Sequence, residues 1–105
     1  MPTVIVQPAG YRIDVKDGDT IMGAARAVGY YWPTTCGGNG ECTTCACTVL
    51  SGAENLDPMG RFEAASLVEG RGRRVLSTPI RLACQAHVHG DVEVRRPGVL
   101  PPVET

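Results

Sequence analysis

The period of the apolar positions changes several times along the chain, and each change marks an element. Thr3 to Gln7 and Tyr11 to Val15 are rich in β-branched and aromatic residues, and Pro8-Ala9-Gly10 between them predicts a hairpin. Asp17-Gly18-Asp19 predicts a turn, after which Asp19 or Thr20 can cap a helix. Within Thr20 to Val28, Ile21, Ala24, Ala25 and Val28 recur at helical spacing and give one narrow apolar face, which Gly29 closes. Tyr30-Tyr31-Trp32-Pro33 leads into a glycine-rich stretch, and Ala46 to Leu50 resumes as a strand with Ser51-Gly52 as its turn. Leu56-Asp57-Pro58 predicts another turn and Phe62 to Glu69 a short helix ended by Gly70 and Gly72. Ile80 to Ala86 and Val92 to Val94 predict two last strands, the second opened by Gly90-Asp91. Everything after Pro97 reads as a loose tail. Strand, strand, helix, loop, strand, short helix, strand is the order of an α+β fold. The expected organisation is one domain over 1–97 and a flexible tail over 98–105, with no internal repeat.

Composition narrows the function. The formal net charge is −1 over 105 residues, with cysteines counted as neutral. That mild acidity argues against nucleic acid and against an anionic membrane surface as partners. No charged segment is followed by an apolar stretch of leader type, and no apolar run is long enough to span a bilayer. A cytoplasmic protein is expected, where thiols stay reduced and available to metal.

The thiols carry the chemistry. Three of the five cysteines crowd one stretch, Cys36-Gly-Gly-Asn-Gly-Glu-Cys42-Thr-Thr-Cys45, and Cys84 lies far downstream in Arg-Leu-Ala-Cys-Gln. A 2Fe–2S cluster needs two thiolates on each iron, and a loop can supply three of them while a separate strand supplies the fourth. Such a cluster carries net negative charge and needs backbone N–H donors around it. Gly37, Gly38 and Gly40 remove Cβ atoms that would block their approach and permit the positive φ angles of a tight wrap. Two other uses of the cysteines are weaker. Disulfides suit a secreted domain with an even cysteine count, and structural zinc takes cysteines in two close pairs, although His87 and His89 could contribute. Cys45 and Cys47 point to the same side of a strand, so spacing alone leaves a choice between them.

With these residues the chain resembles a 2Fe–2S ferredoxin of the β-grasp type. Five residues separate Cys36 from Cys42, two separate Cys42 from Cys45, and 38 separate Cys45 from Cys84. Plant-type ferredoxins have four residues in the first gap. The wider gap resembles the adrenodoxin and putidaredoxin branch, and the resemblance runs from Val4 to about Arg95. It implies a mixed sheet covered by one main helix with a cluster-binding loop, and one 2Fe–2S cluster held by Cys36, Cys42, Cys45 and Cys84. It selects Cys45 as the ligand and leaves Cys47 to core packing. It also implies a monomeric one-electron carrier, not an enzyme, that docks transiently to a flavoprotein NAD(P)H reductase and to a terminal oxygenase of haem-thiolate or Rieske type. Electron supply to iron–sulfur cluster biogenesis is the alternative within the family, and a zinc- or disulfide-stapled binding module is the alternative outside it.

One segment departs from that pattern. Adrenodoxin-like proteins present an acidic docking helix between the third and fourth ligands. Here Glu54, Asp57, Glu63 and Glu69 are balanced by Arg61, Arg71, Arg73 and Arg74, so the segment is neutral. The run Arg71-Gly-Arg-Arg74 forms either a solvated loop or a basic patch. Arg81 is expected to position the cluster loop through carbonyl hydrogen bonds, and His87 and His89 to pack or bond near it.

Overall fold

A computed structural model of the chain describes residues 2–33 and 45–102. Five strands form one mixed sheet in the spatial order β2-β1-β5-β3-β4. Strand β1 (Thr3–Gln7) pairs antiparallel with β2 (Tyr11–Asp14) across the Pro8-Ala9-Gly10 turn, where Gly10 takes a positive φ and donates to the Val6 carbonyl. On its other side β1 runs parallel to β5 (Val92–Arg95), which pairs antiparallel with β3 (Ala46–Ser51), and β3 in turn with β4 (Ile80–Leu82). The N-terminal and C-terminal strands therefore lie side by side at the centre, which is the chain order of a β-grasp sheet.

Alternation places one set of side chains in the core. Val4, Val6, Ile13, Val49, Val92 and Val94 are all buried, while Arg12, Asp14 and Arg95 on the intervening positions are exposed. Helix α1 (Ile21–Ala27) closes the core with Ile21, Met22, Ala24 and Ala25. Its N-cap is Thr20, whose hydroxyl accepts from the Gly23 amide at 3.0 Å, and Gly29 at φ 90° ends it. Val28, expected on the apolar face, is 48% exposed because the helix stops at Ala27 and the chain turns away.

The expected covering of a mixed sheet by α1 is observed, and the short helix expected over 62–69 is longer than its sequence pattern predicts. Helix α2 (Arg61–Arg71) is the longer one at 11 residues, against seven for α1. It runs through Gly70 and stops at Gly72, whose φ of 86° no β-carbon-bearing residue adopts easily. Two 3₁₀ turns, Ala53–Asn55 and Arg73–Ser77, flank it. The strand expected over residues 80–86 ends at Leu82, and the rest forms a turn. The segment from Gly98, expected to be loose, is docked as far as it is described: Val99 is buried, and Leu100 exchanges backbone hydrogen bonds with Tyr31 at 2.9 and 3.1 Å. Among the described residues no helix is long and apolar enough to cross a membrane.

Candidate metal centre

Pairing of β3 with β4 brings two distant cysteines together. Cys45 immediately precedes β3, Ala46 lies opposite Leu82, and Cys84 follows two residues later. Past Leu82 the chain turns sharply, because the amides of Gln85 and Ala86 both donate to the Leu82 carbonyl, at 3.0 and 2.9 Å. The turn presents Cys84 back toward Cys45, and the two sulfurs lie 3.4 Å apart. Both residues are buried. A disulfide would require about 2.05 Å. Two thiolates on one tetrahedral metal, each bonded at about 2.3 Å, lie roughly 3.8 Å apart. The observed spacing is therefore that of two ligands able to share a metal ion.

The scaffold fixes this pair from several directions. The fully buried Trp32 donates its indole N–H to the Cys45 carbonyl at 3.0 Å, so the ring serves both as core and as a backbone anchor. The first amides of α1 hold the Cys84 turn: Ile21 donates to the Ala86 carbonyl at 3.1 Å and Met22 to that of Ala83 at 2.9 Å. From α2, the buried Glu63 receives Arg81 in a two-point pair, Nε to Oε2 at 2.7 Å and Nη2 to Oε1 at 3.0 Å. The same carboxylate accepts the Leu82 amide at 2.9 Å, so one acidic side chain secures the strand that delivers Cys84. The Gln85 amide group donates to the Cys84 sulfur at 3.7 Å, the kind of N–H···S contact that stabilises a thiolate.

Of the expected site residues, Cys45 and Cys84 are brought together as described. Cys36, Cys42, Gly37, Gly38 and Gly40 lie outside the described residues. Cys47 faces the core opposite Arg81, and burial pushes its thiol up to about 12 against a smaller opposing pull from the Arg81 charge. It is a neutral packing residue at ordinary pH. Arg81 pairs with Glu63, and the loop carbonyls it was expected to bond lie outside the described residues. The histidines fasten the turn before α1: His87 Nδ1 bonds the Gly18 carbonyl at 2.7 Å, and His89 lies between Asp17 at 3.0 Å and Asp57 at 2.6 Å. Both carboxylates raise the His89 pKa, Asp17 most. Sequence reasoning missed the anchoring roles of Trp32, Glu63 and Gln85. The position of Gln85 next to a candidate ligand was the only local signal.

Comparison with known proteins agrees with the geometry. The profile of the 2Fe–2S iron–sulfur cluster binding domain matches residues 4–89. The chain is 35% identical to 2Fe-2S ferredoxin-5 of Aquifex aeolicus over 94 residues, which is 90% of this chain and 95% of that protein. It is 36% identical over 93 residues to the reductase subunit of an aromatic O-demethylase from an Amycolatopsis species, but covers only 25% of that subunit's length. Among solved structures, a reduced variant of putidaredoxin from Pseudomonas putida superposes with a TM-score of 0.68 at 26% identity, over 91% of this chain and 96% of that one. The chain belongs to the 2Fe–2S iron–sulfur cluster binding family, as a β-grasp ferredoxin of the adrenodoxin and putidaredoxin type that carries electrons on one 2Fe–2S cluster.

Proposed function

We propose that this member of the 2Fe–2S ferredoxin family holds its cluster through Cys36, Cys42, Cys45 and Cys84 and passes single electrons from a flavoprotein NAD(P)H reductase to an oxygenase. The observation that carries the ligand assignment is the 3.4 Å approach of the Cys45 and Cys84 sulfurs in a buried site, with Cys47 committed to the core. Cys45 and Cys84 would share one iron; Cys36 and Cys42 would hold the other. The relationship to an O-demethylase reductase subunit supports a flavoprotein donor and an oxygenase acceptor.

When bound, the cluster supplies a reversible one-electron change at iron. The protein's part is to bind, shield and tune. Trp32 fixes the Cys45 carbonyl and so the approach of its sulfur. Gln85 directs an N–H dipole at the Cys84 sulfur, which favours the more negative, reduced state. Core packing around Ala83, Ala86 and Leu82 keeps water from that side. Gly37, Gly38 and Gly40 would admit backbone donors on the other. The protein works as a monomer in the reducing cytoplasm, presenting one face to donor and acceptor in turn.

Visible absorption of the purified protein before and after dithionite tests the reading. A red-brown protein that partly bleaches, and that loses its colour in Cys45→Ser and Cys84→Ser but keeps it in Cys47→Ser, is the expected result. Bleaching in Cys47→Ser with retention in Cys45→Ser would overturn the ligand assignment.

A further inference from the structure

One arginine of the neutral segment between the third and fourth ligands, Arg71, meets two from beyond Cys84, Arg95 and Arg96, in three dimensions. Thr48 of β3 lies directly between Ile80 of β4 and Arg95 of β5, and this row floors a cavity of about 350 Å³ that Cys47 also lines. Ala46 extends the floor toward the metal centre. Arg71, at the C-terminal end of α2, and Arg96, just past β5, complete the wall. Three guanidinium groups thus line one cavity, and among the described residues none of its lining is acidic. The Arg96 guanidinium donates to the Pro97 carbonyl, which anchors that side chain at the rim.

The cavity's position gives it meaning. Ala46 on its floor is bonded to Cys45 and pairs with Leu82, two residues before Cys84. An occupant would rest beside the backbone that carries two of the candidate ligands. We propose that this cavity is a docking site for a carboxylate-bearing segment of a redox partner, an acidic peptide surface that inserts side chains between Arg71, Arg95 and Arg96. The inference rests on the electron-carrier reading and reverses the charge roles expected of its acidic relatives.

Charge and size select that occupant. A guanidinium offers paired N–H donors matched to a carboxylate, and arginine is enriched at protein interfaces. A cavity of about 350 Å³ has room for on the order of ten waters, more than a single small ion needs. The chain's formal net charge is −1, so net charge does not draw an acidic partner in. The arginine cavity supplies a local attraction, which would orient the partner as well as bind it.

The test is calorimetric titration of the holo protein with hexaglutamate at low ionic strength. Arg71→Gln/Arg95→Gln alters two exposed side chains, and Arg12→Gln on β2 provides a control on a distant strand. The expected result is measurable binding that weakens about tenfold or more in the double variant and is unchanged in Arg12→Gln. Equal affinity of wild type and double variant, or no binding by the wild type, would overturn the proposal. So would inorganic phosphate binding more tightly than the peptide, since that would mark a small-anion site. The dithionite response of the same samples reports the carrier reading separately: a protein that bleaches yet ignores hexaglutamate refutes only the docking site.

Discussion

Cys45, just before β3, and Cys47, on it, lie two residues apart and differ in what surrounds them. The Cys45 sulfur faces another sulfur, whereas Cys47 is buried among core side chains that make its thiolate unfavourable. Cys47→Ser should therefore keep the visible spectrum and lose about 1–3 kcal/mol in urea denaturation, the cost of placing a hydroxyl in an apolar site. Gln85 is the second residue whose effect is specific. Removing its N–H from the Cys84 sulfur in Gln85→Leu should make the reduction potential more negative while leaving the protein folded, because the reduced cluster loses a stabilising dipole. A potential at or above the wild-type value in a voltammetric titration would contradict this. His89 gives the pH dependence. Its folded pKa is raised by Asp17 and Asp57, so the stabilisation is fully present below the ordinary value of about 6.5 and is lost as pH rises through the folded value. Thermal melts from acid to mildly alkaline pH should show that decline in the wild type and not in His89→Asn.

At the scale of elements, the strand that leads into the Cys84 turn depends on a helix for its position. Glu63 of α2 takes both the Arg81 guanidinium and the Leu82 amide, and it is 3% exposed. Glu63→Ala would leave a mostly buried arginine without its counter-charge, a loss of about 3–5 kcal/mol for pairs of this kind. Urea unfolding monitored by visible absorption should show the cluster released at lower denaturant in that variant, and Glu63→Leu/Arg81→Leu should recover part of the loss. This pair also shows where sequence reading stops. The period-two segments gave β1 with its full bounds, and the Thr20 cap and Gly29 located α1 to within a residue, because those signals are local. The end of β4 was not legible: Ile80-Arg-Leu-Ala-Cys-Gln-Ala continues the apolar pattern, while the chain actually turns to meet the first amides of α1. Likewise nothing near Glu63 announces a partner 18 residues away. The cysteine spacing was readable because metal chemistry restricts it. The anchors behind the cysteines were hidden because any donor in the right place would serve.

At the scale of the molecule, two charge distributions compete over distance. Loading the cluster adds about two negative charges to the formal −1, spread over a body with a radius of gyration of 12.7 Å. The three arginines of the cavity beside Cys45 are concentrated in one place. At an ionic strength of about 0.01 M the Debye length is roughly 30 Å, and an approaching anion feels the net charge of the whole molecule. At about 0.1 M it is roughly 10 Å, shorter than that radius, and only the nearby arginines act. Oxidation of the reduced protein by an anionic complex such as ferricyanide should then respond to salt in two phases. The rate should rise as the first additions screen the net repulsion, and fall as further salt screens the local attraction. In Arg71→Gln/Arg95→Gln the second phase should weaken strongly and leave mainly the rise, because Arg96 alone of the three remains to attract. Stopped-flow measurement across this range tests the balance directly. A monotonic rise in the wild type itself would mean that the arginine cavity does not govern approach to the cluster, and that the encounter is set by acidic positions elsewhere on the surface, such as Asp14, Asp17 and Asp19.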